Sequence, residues 1–162
     1  MVTLRVILNY HFSFLVFNLF MRPLKHIIAS AILGIGFLLF VRPPWAALIV
    51  FLTGVFIDLD HLVDFWAFKP PRPFNVKDFL DSEKYDKQAK WIFVFFHSWE
   101  LVVGFWLWAF LAHWPLWPTS IAAGATLHMI LDIENLKHPC KMHPLTYFLI
   151  FRAANKFKKV KV

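Results

Sequence analysis

Apolar residues run almost unbroken through residues 26–41, "HIIASAILGIGFLLFV", and Arg42, Pro43 and Pro44 then end the run. Two prolines in sequence stop a helix and force a turn. A second run begins at Trp45, stays apolar to Ile57, and continues with helical spacing through a charged cluster to about Phe68. These two segments predict an antiparallel helical hairpin. Sixteen residues fall slightly short of the roughly 20 that cross a bilayer, so tilt or local thinning is expected. Trp91 to His113 forms a third apolar stretch, "WPLWP" makes a turn, and Thr119 to about Ile133 forms a fourth. The seven residues Leu145 to Phe151 are too few to cross and are expected to lie along the interface or on the bundle.

Between these segments the pattern changes sharply. Residues 69–90 carry three prolines and ten charged side chains, which places them in water or among headgroups. Residues 152–162 form a basic tail. Residues 1–20 are apolar but interrupted by Arg5, Asn9, His11, Ser13 and Asn18, with no small-residue cleavage site, and read as a weakly inserted or peripheral helix. The expected architecture is therefore all-α: one integral membrane domain over residues 1–162, a bundle of about four spans with interfacial terminal helices.

Composition agrees. The chain is 59% hydrophobic and 17% charged, against roughly 25% charged in soluble proteins. One cysteine, Cys140, excludes an intrachain disulfide framework. The net charge of +7 does not require nucleic acid, because basic residues flanking apolar spans already account for it. In an up-down hairpin arrangement 15 of the 17 Lys and Arg residues fall at one end of the bundle, with Arg5 and Arg42 opposite. The positive-inside rule then predicts a multi-pass protein of the cell (inner) membrane whose basic end faces the cytoplasm.

The remaining ionisable groups converge on that same end. His26 begins the first helix; Asp58, Asp60, His61 and Asp64 close the second; His97 and Glu100 open the third; His128 and Asp132 close the fourth. At 100° per residue the second-helix group covers about 160° of arc, one face. His97 with Glu100 and His128 with Asp132 are i,i+3 and i,i+4 pairs. Unpaired carboxylates at the bilayer centre cost about 2.5–3.5 kcal/mol each, so these groups must be paired, interfacial or bound to a cation. Imidazole with carboxylate is a first-row metal set: zinc first, manganese or iron next. Expected ligands are His26, Asp60, His61, His97, His128 and Asp132, with Asp58 and Glu100 as catalytic carboxylates and hydrolysis as the reaction class. Asp58 also has a plain reading as a partner of Lys25, and Asp64 as a water-facing group at the helix exit. His11 and His113 read as interfacial, His138 and His143 as solvated loop residues. The alternatives are a buried ion-pair or proton-relay network in a conductor or scaffold, and a haem with His26 and His128 as axial ligands, which the surrounding aspartates oppose.

"KHIIASAILG", "GVFIDLDH", "FFHSWE" and "GATLHMILD" together resemble, in order, the blocks of the YdjM-like family of membrane-bound, metal-dependent hydrolases over about residues 25–135. The resemblance implies functional roles for His26, Asp58, Asp60, His61, His97, His128 and Asp132. Ile57 replaces the family's proline, and Ile92 stands where the family often has a further histidine. The spacing of His128 and Asp132 is also similar to a ligand pair in α-helical zinc-dependent phospholipases C. The second likeness hints at phosphoester substrates, and a site in the membrane makes membrane lipids the expected partners and an amphiphilic or lipid-linked molecule the expected substrate.

Overall fold

The computed structural model describes residues 24–68, 91–133 and 143–160. The expected helix at 1–20, the polar loop at 69–90 and His138 lie outside the described residues. Within them the chain is helical, with no strand; a single antiparallel bridge joins Trp91 to Lys158.

Helix α1, Leu24–Phe40, ends as the apolar pattern predicts. The amides of Val41 and Arg42 both donate to the Phe37 carbonyl, at 2.8 and 3.1 Å, and Arg42 turns into the left-handed region at φ 76°. Pro44 then opens α2, Pro44–Phe56, at a position where its missing amide is no loss. At Ile57 the chain tightens into a 3₁₀ turn, Ile57–Asp60, before α3, His61–Phe68. The stretch Pro44–Asp64 is long and apolar enough to cross a membrane, and α1 is a shorter apolar helix. The tightened turn is the first departure from the uniform helix expected there.

The second departure lies at 91–98. The sequence predicts a span from Trp91, but the helix α4 covers only Trp99–Leu111. Phe93 and Phe96 donate their amides to Asp64 Oδ1 and Asp60 Oδ2 at 2.7 and 2.8 Å, which diverts those amides to side chains of the preceding hairpin. His113 and Trp114, both left-handed, turn the chain into α5, Leu116–Ile133, with Pro118 in its first turn. A 3₁₀ turn at Pro144–Tyr147 leads to α6, Leu149–Ala154, so the last helix reaches into what reads as a solvated basic tail.

Helix α5 packs along α2 and, less extensively, α4. Its contact with α2 is made by residues that have almost nothing to place between the backbones. A Cβ on Gly124 would stand 2.6 Å from the Val50 carbonyl and 3.2 Å from the Gly54 amide, and one on Gly54 would run into Ser30 of α1. Three helices therefore meet at a point only glycine allows. Ala46, Val50, Ala122 and Ala125 complete the buried side, whereas Ile32, Leu39, Leu48, Val103, Leu107, Phe110 and Leu111 point outward. Small residues thus make the helix crossing, and many large apolar side chains face outward.

Candidate metal centre

The glycine crossing sets the first site residue. His128 lies one turn beyond Gly124, wholly buried, with Nδ1 2.8 Å from the Gly54 carbonyl. A carbonyl only accepts, so Nδ1 carries the hydrogen and Nε2 is turned inward, toward His97 and the carboxylates. His97 is placed by different means. Its Nδ1 lies 3.0 Å from Asp60 Oδ1, while its own carbonyl accepts from the Arg152 guanidinium at 3.1 Å. Nε2 of His97 therefore also faces inward, 3.1 Å from Nε2 of His128.

Two carboxylates close on this pair. Asp132 Oδ2 is 3.4 Å from the His97 Nε2 and 3.5 Å from that of His128, and Asp58 Oδ1 is 3.2 and 3.4 Å from the same atoms. Ligands 2.0–2.1 Å from a tetrahedral ion sit about 3.3–3.4 Å from one another, so each carboxylate completes a triangle of the size such an ion needs. His97, His128 and Asp132 form a fully buried triad, one of three overlapping groups that can hold a metal ion; the others are His26, Asp58 and His128, and Asp58, His61 and His97. His26 stacks on His128 with centroids 4.1 Å apart and places Nε2 3.3 Å from Asp132 Oδ1. His61 lies 4.0 Å from Asp58 Oδ1. The side chains of His61 and Asp58 are 38% and 39% exposed, so they form the open rim of an otherwise closed layer.

Of the eight expected site residues, six meet in this layer: His26, Asp58, His61, His97, His128 and Asp132. Asp60, expected as a ligand, stands behind His97: one oxygen is at the imidazole and the other accepts the Phe96 amide. Glu100, expected as a catalytic carboxylate, is turned away altogether. Both of its oxygens accept amides at the start of α6, from Leu149 and Ile150, each at 2.9 Å, which satisfies the orphan donors of a helix terminus. Asp64 does not face water but is buried on the Phe93 amide. His143 accepts the Leu145 amide and stacks on Phe151.

Arg152 is the residue that sequence patterning misses. It sits in a run of basic residues, yet it is 2% exposed and donates to the carbonyls of Val94 and His97. Burial pushes its pKa below the ordinary guanidinium value, and Asp60, Glu100 and Asp64 pull it back up. Its only distinguishing mark in the sequence is the apolar segment just before it, "LTYFLIF", which gives the helix a face to bury.

The site thus consists of two imidazoles with Nε2 turned inward, flanked by carboxylates and backed by a carbonyl and a carboxylate. No family model, no curated protein and no solved structure matches the chain.

Proposed function

We propose that the protein is a membrane-embedded, metal-dependent hydrolase, with zinc held by His97, His128 and Asp132. The observation that carries the reading is the 3.1 Å approach of two Nε2 atoms whose other ring nitrogens face the Gly54 carbonyl and Asp60 Oδ1. Facing ring nitrogens at that distance need a proton or a metal ion between them, and the two carboxylates flanking both at the spacing of tetrahedral ligands favour the metal. Three protein ligands is the number in catalytic rather than structural zinc, and the fourth side carries the partly exposed Asp58. When bound, such an ion supplies Lewis-acid chemistry, lowering the pKa of water and polarising a phosphoryl or acyl oxygen.

The chain's own residues divide the remaining work. Asp60 and the Gly54 carbonyl fix ring orientation and tautomer, the usual support for a ligating histidine. His26 holds the outer oxygen of Asp132. Asp58, half exposed at the rim, is positioned to take a proton from water entering on the open side.

The membrane reading takes α1, Pro44–Asp64, α4 and α5 as four spans of a multi-pass inner-membrane protein. It is supported by the large apolar side chains that face outward around a small-residue crossing, as in helix packing in lipid, and by Lys25, Arg152, Lys156, Lys158 and Lys159, the described basic residues beside the site's segments, which the positive-inside rule assigns to the cytoplasm. The resemblance to the YdjM-like blocks favours the same conclusion, and a phosphoester or lipid-linked substrate follows from a site at the headgroup layer.

Metal analysis of the full chain purified in detergent tests this directly. Stoichiometric zinc is expected in the wild type and is expected to be lost in both His128→Ala and Asp132→Ala. A wild type that neither carries nor takes up zinc, manganese or iron sinks the proposal, as do two variants that retain the full metal content.

A further inference from the structure

An apolar groove of about 250 Å³ opens beside the site, between α2 and α4, with α5 as its floor. Ile57, Val102 and Ala125 are buried along its base, and Phe56 and Phe96, both at least half exposed, form its rim. Its position relative to the chemistry is fixed by the chain itself. Ile57 directly precedes Asp58, Phe96 directly precedes His97, and Ala125 lies one turn before His128. At its other end are Thr53 and Ile121, the latter seven residues before His128, or about 10 Å along the helix axis. The groove therefore starts at the polar layer and runs along the helices toward the middle of the bundle.

We infer that this groove holds a single hydrocarbon chain of a membrane amphiphile whose headgroup lies on the His97–His128–Asp132 layer. The inference rests on the membrane and metal readings above and adds the substrate's shape and entry route. Three features favour that occupant. The volume of about 250 Å³ is below the roughly 300–1,000 Å³ of pockets that take drug-sized ligands, so it suits one chain rather than a pair of chains. Its lining is apolar except for the Thr53 hydroxyl, so the groove recognises hydrocarbon while polar selectivity is left to the adjoining layer. Its direction, from interfacial headgroup to bilayer centre, is the one a lipid of the site-side leaflet already has. A substrate can enter sideways past Phe56 and Phe96 without leaving the membrane or turning over.

The test uses the full chain in nanodiscs with dodecyl phosphate carrying a diazirine at the end of its chain. On irradiation, label is expected on peptides containing Thr53, Phe105 or Ile121, and excess unlabelled dodecyl phosphate is expected to displace it. Ile121→Trp, which fills the far end, should reduce that labelling about tenfold, the consequence of forcing a chain into occupied space. Leu107→Trp, on the outer face of α4, should leave it unchanged. Zinc content measured on the same samples reports whether each variant keeps its fold. Label spread over Leu107, Phe110 and Leu111, indifferent to competitor and to Ile121→Trp, in protein that carries zinc, overturns the groove and leaves the metal reading intact. Groove labelling in protein that takes up no metal overturns the metal reading and leaves the groove.

Discussion

His97 and His128 end 3.1 Å apart, but the chain brings them there by opposite means. His128 rides on a regular helix whose position is set chiefly by packing, Gly124 against Val50 and Gly54, joined by the Trp106 indole bond to Thr126 and the Gly54 carbonyl. His97 lies in the non-helical segment before α4, whose backbone is held by side chains from elsewhere: Asp64 on Phe93, Asp60 on Phe96, and Arg152 on Val94 and His97. One half of the site is placed by shape and the other by hydrogen bonds. The two halves should fail differently. Damage to the crossing should unfold the bundle, because close-packed backbones cannot give way. Damage to the clamps should loosen one ligand while leaving the bundle standing.

The largest effect is expected at the crossing. Gly124→Leu forces α2 and α5 apart at a backbone contact and should cost about 3 kcal/mol or more, read as a large drop in thermal unfolding temperature in detergent. Gly104→Leu on α4, where an added side chain meets open space, should be close to neutral in the same assay. Equal melting of the two variants would mean that the crossing does not carry the fold.

Arg152→Ala comes next. It leaves the Val94 and His97 carbonyls short of their buried donors, at roughly 1–3 kcal/mol for each unsatisfied group, and frees α6 from the ligand segment. Zinc affinity should fall about 100-fold through the loss of support behind His97. Asp60→Asn is milder, because the Phe96 amide keeps an acceptor while the carboxylate charge behind the imidazole is lost. An affinity loss of about tenfold with little change in melting is expected, by competition with a zinc-sensitive dye. If Arg152→Ala lowers melting and zinc affinity no more than Asp60→Asn does, the polar clamp is weaker than its geometry implies.

This contrast also explains what could be read from the sequence. The helical hairpin, the turn at Arg42 and the convergence of His26, Asp58, His128 and Asp132 follow from periodicity and helix direction, which are local properties. So does His128, since packing by small residues preserves the helix on which it sits. The polar half was less legible. Residues 91–98 read as the start of a span because Ile92, Phe93, Val94, Phe95 and Phe96 are apolar, and only partners 29 and 36 residues away divert their amides. Asp60 and Glu100 have the composition of ligands and catalysts; whether a carboxylate faces an ion or a backbone amide is a tertiary fact. Arg152 was hidden by its neighbours, because a charge run reads as solvated unless one member is known to meet buried carbonyls.

Glu100 gives the smallest and most discriminating effect. Its carboxylate accepts the amides of Leu149 and Ile150, so Glu100→Gln retains one acceptor oxygen and loses the favourable charge at the helix start. A cost of about 0.3–1 kcal/mol is expected, confined to α6 and visible as faster amide exchange at Leu149 and Ile150. Zinc content should not change, because no Glu100 oxygen belongs to the groups that can hold a metal ion. Glu100→Ala should open α6 further and, through Arg152, weaken His97 as well. A graded loss across Gln and Ala marks a structural cap, whereas a catalytic carboxylate would lose its function fully in both. Full loss of turnover in Glu100→Gln, with zinc and α6 intact, would return Glu100 to the chemistry and show that the polar clamp rearranges when substrate binds.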